Sequence, residues 1–351
     1  MKVVDLKDRK LVRSTGYNFN FDKKTGFFMR WGKTQEDDPQ MCPVGPEILD
    51  IEISINGCPN ACPFCYKSNS DTPPTNMSYD TFVAILDKMP PVLTQIAFGI
   101  TGVQTNPDFI PMLRVCRERG IIPNFTLSGI DLTDEIADEI VKHIGGLAVS
   151  AYESDKNVCY DTVKKFTDRG ITQTNIHLMV AKETLPFVHE VLADRLHDHR
   201  LKDMNAIIFL GVKPKGRAAG HYTPVNSQEF GDLLSFAEEN SIAIGFDSCS
   251  APKYEAAIMQ SDKTEEEKKR AIMFSESCES TLFSLYINVH GVAWPCSFTE
   301  DEPEYQGVRV LDHENFKSIW RSPELCKFRH QLLATMKNGC RSCPVFQNVG
   351  R

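Results

Sequence analysis

The chain is predicted to be α/β, a partial (β/α)6 TIM-like barrel followed by a small C-terminal α+β domain. Three observations predict this. Between about 50 and 245, short apolar runs alternate with amphipathic stretches, several of them closed by Gly. Beyond about 250 that alternation stops and a hairpin pattern centred on His290-Gly291 takes over. The 351 residues, 41% of them hydrophobic, are enough for one large core or two smaller ones, which sets aside disordered and fibrous readings.

Residues 1–47 read as a polar lead-in and apron. In it, alternating aromatics (Tyr17, Phe19 and Phe21, then Phe27 to Trp31) flank a turn at Asp22–Gly26 like a small hairpin. The barrel, 48–250, has candidate strands at Ile51–Ile55, Gln95–Phe98, Pro123–Leu127, Leu147–Ala151, Asn175–Val180 and Ala206–Leu210. Candidate helices between them are Ser78–Lys88, Phe109–Gly120, Thr133–His143, Asn157–Gly170 and Leu185–His199. Strand-then-helix repetition implies parallel pairing with right-handed crossovers, and six units are too few for a closed eight-unit barrel. A further unit follows at Ser227–Asn240 and Ile242–Phe246, then a charged segment, Ser261–Arg270, that suits a solvated helix face. Within 251–351, Ser284–Val289 and Val292–Trp294 form the hairpin, and Phe316–Met336 is helical with Pro323 suited to a first turn.

No run approaches the roughly 18 apolar residues of a membrane span, and the start, Met1-Lys2-Val3-Val4-Asp5, lacks the apolar stretch of a secretory signal. A cytoplasmic protein with no membrane partner is expected. The formal charge of −8 disfavours a broad phosphate-tracking surface and hence nucleic acid. Twelve Cys in such a chain read as metal ligands or reactive thiols before disulfides.

Spacing sorts those cysteines. Cys58, Cys62 and Cys65 lie within eight residues directly after the first barrel strand, on a loop stiffened by Pro59 and Pro63. Three thiolates so spaced can converge on one soft metal centre, at the end of the barrel where α/β barrels place their chemistry. A three-Cys [4Fe–4S] site leaves one iron open, and the alternative is a zinc knuckle completed by a distant ligand such as Cys42. Cys278 and Cys296 at the two ends of the hairpin segment, with Cys340-x2-Cys343, give four soft ligands from two segments. Taken alone, that set suits an iron–sulfur cluster or tetrahedral zinc equally.

The first loop resembles the radical S-adenosylmethionine (SAM) superfamily, whose C-x3-C-x2-C signature is met by Cys58, Cys62 and Cys65. The aromatic before the last Cys is Phe64, which the resemblance places near the SAM adenine. The segment from Phe98 to Pro107 lines up without a gap on the family's Gly-Gly-Glu-Pro stretch, which holds the SAM amino group. Gly102 stands where the family has Glu, so one charge-assisted bond of about 1.5–3 kcal/mol is absent, while Thr101 and backbone carbonyls remain as acceptors. Ser128 and Ser150 fall where related enzymes contact the methionyl or ribose groups, or are ordinary loop residues. The loop Gly211–Arg217 resembles barrel-mouth loops, implying a carboxylate or phosphate partner for one of its cations, against a merely solvated basic loop.

Beside such a barrel the second set resembles the twitch domain, a shortened SPASM domain, with Cys278, Cys296, Cys340 and Cys343 holding one auxiliary [4Fe–4S] cluster. The eight residues after Cys343 contain no further Cys, so one auxiliary cluster is expected. The resemblance implies two [4Fe–4S] clusters and SAM as cofactors. It also implies reductive cleavage of SAM to a 5′-deoxyadenosyl radical, hydrogen abstraction from an unactivated C–H of a peptide or small molecule, and electron transfer through the auxiliary cluster. A one-electron reductant such as a flavodoxin or ferredoxin is the implied partner. Two alternatives stay open, radical modification of a nucleotide or nucleobase and a non-catalytic iron–sulfur or zinc binding protein.

Of the other cysteines, Cys116 and Cys159 fall on helices as small buried side chains, and Cys42 and Cys326 carry no signal. Cys249, two residues after Asp247 at the domain junction, is a candidate cluster ligand, hydrogen-atom donor or structural thiol, with Asp247 a candidate general base. His177 and His290 lack ligand spacing and are taken as structural.

Overall fold

A computed structural model describes residues 1–34, 37–337 and 340–346. Its first element is a four-stranded antiparallel sheet of β1 (Lys2–Asp5), β2 (Arg9–Arg13), β3 (Asn18–Asp22) and β4 (Phe28–Trp31), in that order. The expected hairpin is β3–β4, its turn shaped by Asp22 Oδ1 accepting from the Lys24 and Thr25 amides, both at 2.9 Å. Val12, Phe19 and Phe21 bury against Leu282, Phe283 and Phe328, so the apron packs on the C-terminal part of the chain.

The main sheet begins with β5 (Ile48–Glu52), after which β6 (Ser54–Ile55) and β7 (Thr75–Asn76) pair at the base of the cysteine loop. Then come α1 (Tyr79–Lys88), β8 (Gln95–Gly99), α2 (Phe109–Glu118), β9 (Ile122–Leu127), α3 (Asp134–Ile140), β10 (Gly146–Ser150) and α4 (Lys156–Thr167). They are followed by β11 (Thr174–Val180), α5 (Leu185–His197), β12 (Ile207–Gly211), α6 (Ser227–Glu239) and β13 (Ile244–Phe246). Helix starts are set locally, as where Ser78 caps α1 by accepting from the Thr81 amide at 3.2 Å. All seven strands β5 and β8–β13 pair in parallel and the barrel stays open.

Strand alternation decides what faces inward. On β11, Ile176, Leu178 and Val180 are buried, whereas Asn175, His177 and Met179 between them are only half-buried. A cavity of about 590 Å³ is lined by Ala97, Asn124, Thr126, Asn175 and His177, with the β3–β4 turn at Thr25–Phe27 across the strands' N-terminal ends. The opposite, C-terminal ends carry the cysteine loop.

The C-terminal segment holds α7 (Ala251–Gln260), α8 (Glu265–Met273), β14 (Ser284–Ile287), β15 (Val292–Trp294), β16 (Val308–Arg309), α9 (Phe316–Trp320) and α10 (Pro323–Ala334). The charged run enters its helix only at Glu265, because Thr264 and Glu267 form a capping box there. The single helix expected over Phe316–Met336 is two, divided where Ser322 accepts from the Leu325 amide at 3.3 Å and Pro323 opens α10. Strand β14 pairs in parallel with β5, Ser284 opposite Ile48 through Ile287 opposite Ile51, so one ten-stranded sheet runs across the expected boundary near 250. Among the described residues no helix is long and apolar enough to cross a membrane.

Candidate functional site

The loop bearing Cys58, Cys62 and Cys65 is held by its backbone. Asn56, Gly57, Ala61 and Ser68 all have positive φ. Gly57 is required for space as well, since a Cβ there would meet Pro74 at 3.1 Å. The Cys58 amide donates to Ser70 O at 2.9 Å and the Cys65 amide to Cys62 O at 3.2 Å. From across the barrel mouth, Arg217 donates through Nε to Cys62 O and through Nη1 to Asn69 O, both at 2.8 Å, while its amide donates to Cys65 O at 3.0 Å. Gly216, at φ +57°, makes this approach feasible, because a Cβ would fall 2.5 Å from Cys65 O. The Gly211–Arg217 loop is therefore a clamp on the cysteine loop. Arg217 Nη2 is buried and has no partner among the described residues.

Beneath the loop lies a shared charge network. Lys67 Nζ donates to Tyr286 OH at 2.7 Å and pairs with Glu52 at 3.2 Å and with Glu300, while Tyr286 OH donates to Glu52 at 2.9 Å. Burial pushes the Glu52 carboxyl up and Lys67 pulls it back. Next to it the Tyr66 ring packs on Phe298, centroids 4.6 Å apart, joining the residue after Cys65 to the second residue after Cys296.

The three thiols of this loop are half-buried and free. Burial raises the Cys62 thiol, the Tyr152 hydroxyl lowers it, and Cys58 and Cys65 raise it further, which places all three within electrostatic reach of one another. Among the described residues no three His, Cys, Asp or Glu side chains meet at the spacing of a single metal ion. Three soft donors on one loop are the donor set of an iron–sulfur cluster.

Phe64 stacks on Tyr152 at 6.0 Å and 18°, and meets Tyr222 edge-on at 5.9 Å. With Cys62, Ala151 and Phe187 these rings line a cavity of about 370 Å³, a volume in the range of small-molecule sites. The Tyr152 hydroxyl is close enough to Cys62 and Ser150 to be influenced by both, so Ser150 neighbours this wall. Thr101 donates its hydroxyl to Asn56 O at 2.8 Å, tying the β8 loop to the cysteine loop. Ser128 is buried and its Oγ accepts from the Ile130 amide within its own turn. Gly102 lies in the same ring of loops, with Asp131 against it.

The second group forms around the β14–β15 hairpin. Cys278, Cys296 and Cys343 sense one another, and burial pushes Cys278 up to about 11 and Cys296 to about 12. Cys249 joins them. Its thiol, raised well above the usual range by burial and relieved by Lys213, also senses Cys278 and Cys343. Cys340 is pushed up to about 12, by burial first and by the nearby Glu255 next. Cys42, Cys116 and Cys159 are buried, and the Cys42 carbonyl accepts from Trp320 Nε1 at 3.0 Å.

Between the two groups, Asp247 accepts from Lys213 Nζ and, at 2.6 Å, from Ser250 Oγ. Burial pulls His177 down to about 4, with Asp247 opposing, and Thr126 Oγ1 is 3.3 Å from its Nδ1. His177 is half-buried and within range of the Asp247 charge, whereas His290 sits exposed in its turn. Lys253 is 2% exposed, and burial pulls its amine down to about 8 against the attraction of Asp247. A base whose folded pKa lies below its unfolded value of 10.5 costs stability while charged, so stability should rise with pH from about 8 towards 10.5. Lys253→Met is expected to gain about 2–3 kcal/mol at pH 7 and progressively less above pH 8. Urea unfolding at pH 7 and 9.5 measures this, and a loss at pH 7 would show that Lys253 makes a favourable contact instead.

Comparisons with known proteins bear on this geometry. Residues 53–176 match the model of the Radical SAM superfamily, and residues 278–344 match that of SPASM, an iron–sulfur cluster-binding domain. The chain carries a radical SAM domain and a SPASM domain. A curated relative, the tungsten-containing aldehyde ferredoxin oxidoreductase cofactor-modifying protein of Pyrococcus furiosus, is 34% identical over 99 residues. That match spans 27% of this chain and 28% of the relative's length. Among solved structures, SuiB of Streptococcus suis superposes with a TM-score of 0.69 at 11% identity, over 93% of this chain and 90% of that one. The enzyme anSMEcpe, solved with AdoMet and a peptide, gives 0.59 at 13%, over 81% and 83%. At these identities the structures establish the fold, an open α/β barrel of the radical SAM kind. A radical SAM domain takes SAM and a [4Fe–4S] cluster, and a SPASM domain takes auxiliary iron–sulfur clusters.

Proposed function

We propose that the chain is a radical SAM enzyme that removes hydrogen from an unactivated C–H of a peptide or small molecule and passes the remaining electron to one auxiliary cluster. The observation that carries this reading is the placement of two thiol groups at one barrel mouth, the first beside an aromatic cavity and the second across Asp247 and Lys213. Cys58, Cys62 and Cys65 would hold the SAM-binding cluster, with SAM along the wall of Phe64, Thr101, Gly102, Ser128 and Ser150. Cys278, Cys296, Cys340 and Cys343 would hold the auxiliary one, with Cys249 alongside. When bound, these cofactors supply a hydrogen-atom acceptor, generated by one-electron cleavage of SAM, and a sink for one further electron.

The chain's own residues do the rest. The rings at Phe64, Tyr152 and Tyr222 bind a flat apolar group and keep water from it. Arg217 holds the cysteine loop and keeps one buried donor for a carboxylate or phosphate. A substrate that loses a hydrogen atom and an electron on the way to a double bond or crosslink must also release a proton, and Asp247, held by Lys213 at Oδ2 and by Ser250 at Oδ1, is the acceptor at hand. The relative's name speaks of cofactor modification and the SuiB complex contains a precursor peptide, so both substrate classes have support.

Anaerobic reconstitution should give about eight irons per chain, as two four-iron clusters require. Reduced protein with SAM and candidate substrates should then form 5′-deoxyadenosine. Zinc bound in place of iron, or no product above the level of protein-free controls, would end this reading.

A further inference from the structure

The loop after β8 has no room for a side chain at Gly102. A Cβ added there would stand 2.7 Å from Asp131 Oδ2 and 2.9 Å from Thr105 Oγ1. Positive φ is not the reason, since Gly102 is not among the left-handed residues. The space is taken by a carboxylate from another strand's loop. Asp131 follows β9 and is fixed on two sides, its Oδ2 accepting from the Gln104 amide at 3.1 Å and its carbonyl from Gln104 Nε2 at 2.7 Å.

The other carboxylate oxygen, Oδ1, is buried and has no hydrogen-bond partner among the described residues. A carboxylate oxygen removed from water is costly unless a donor, and best a cation, meets it. Thr101 cannot serve the same cation equally well, because its hydroxyl is neutral and its proton goes to Asn56 O. The orphan oxygen belongs to the carboxylate that crowds Gly102, the position at which the resembling sequences carry Glu.

We propose that Asp131 Oδ1 accepts from the α-ammonium group of SAM, supplying from the β9 loop the carboxylate that residue 102 lacks. The proposal rests on the reading of this chain as a SAM-binding protein. No covalent change is involved, and Asp131 is a positioning residue for the cofactor's amino-acid end. The exchange is reciprocal in space, since the carboxylate excludes a side chain at 102 and a side chain at 102 would exclude the carboxylate.

The test is binding to the anaerobically reconstituted protein, measured by calorimetry with SAM, with S-adenosylhomocysteine, and with the homocysteine analogue lacking its α-amino group. Asp131→Asn keeps the shape and removes the charge, and should weaken SAM binding about ten- to a hundredfold. The wild type should prefer S-adenosylhomocysteine over the desamino analogue by a similar factor, and Asp131→Asn should show little preference. The double variant Asp131→Ala, Gly102→Glu should recover most of the affinity. Equal preference for the amino group in wild type and Asp131→Asn overturns the proposal, as does loss of all binding in Asp131→Asn without recovery in the double variant. A wild type that binds no SAM at all removes the reading on which the proposal rests, a different and distinguishable failure.

Discussion

Cys58→Ala is expected to lower the iron content from about eight to about four per chain and to abolish 5′-deoxyadenosine formation, because a cluster left with two thiolates is not retained. The loss should be selective. The loop around Cys58 is fixed by backbone contacts that do not involve thiols, among them Arg217 on Cys62 O and Asn69 O and the Cys58 amide on Ser70 O. Without metal, the variant and the wild type should therefore unfold at nearly the same temperature, and the visible charge-transfer absorbance should fall by about half after reconstitution. Unchanged iron content would show that this loop is not a cluster site.

Lys67→Met is expected to be the most destabilising single substitution at the site. Lys67 is the cation that faces both Glu52 and Glu300, with Tyr286 between them. Removing it leaves two carboxylates in a largely buried place, a change of about 3–5 kcal/mol. The deficit should be largest at neutral pH and shrink as pH falls through the raised pKa of Glu52, where the variant neutralises its own excess charge. Lys67→Met combined with Glu52→Gln and Glu300→Gln should return most of the stability. Denaturant unfolding at pH 5 and pH 7.5 separates these cases, and a pH-independent loss would point to packing of the lysine stem rather than charge.

Much of the barrel was legible because its signal is local. Six apolar runs with Gly-ended amphipathic stretches appear as β5, β8–β12 and their helices, with ends displaced by one to three residues where caps such as Ser78 and Thr133 fix them. The pairing of β14 with β5 was not legible, since residues 284 and 48 meet only in the fold. Strands β1 and β2 were missed because their exposed positions carry Lys, Asp and Arg, which hide the alternation. The Ser322-Pro323 break was legible in principle, Ser before Pro being an ordinary helix start. At the site, cysteine spacing named the first thiol group. Tyr152, Tyr222 and Asp131 carry no motif, and each acquires its meaning from a neighbour more than twenty residues away.

The ladder between β5 and β14 also bears on how separable the two halves are. The loop with Cys58 leaves the sheet just after β5, while Cys278 and Cys296 bracket the strand at its side and its partner β15. Adjacent strands keep a spacing of about 4.8 Å, so the gap between the two thiol groups is gauged by the sheet and has no hinge in it. A barrel cut free of residues beyond 250 would bare the edge of β5, a strand with one apolar face, Leu49 and Ile51, and invite pairing with another chain. The C-terminal segment is thus the missing stave of the barrel as well as a bearer of cysteines, and swapping it between relatives would demand a match in strand register before any match in chemistry.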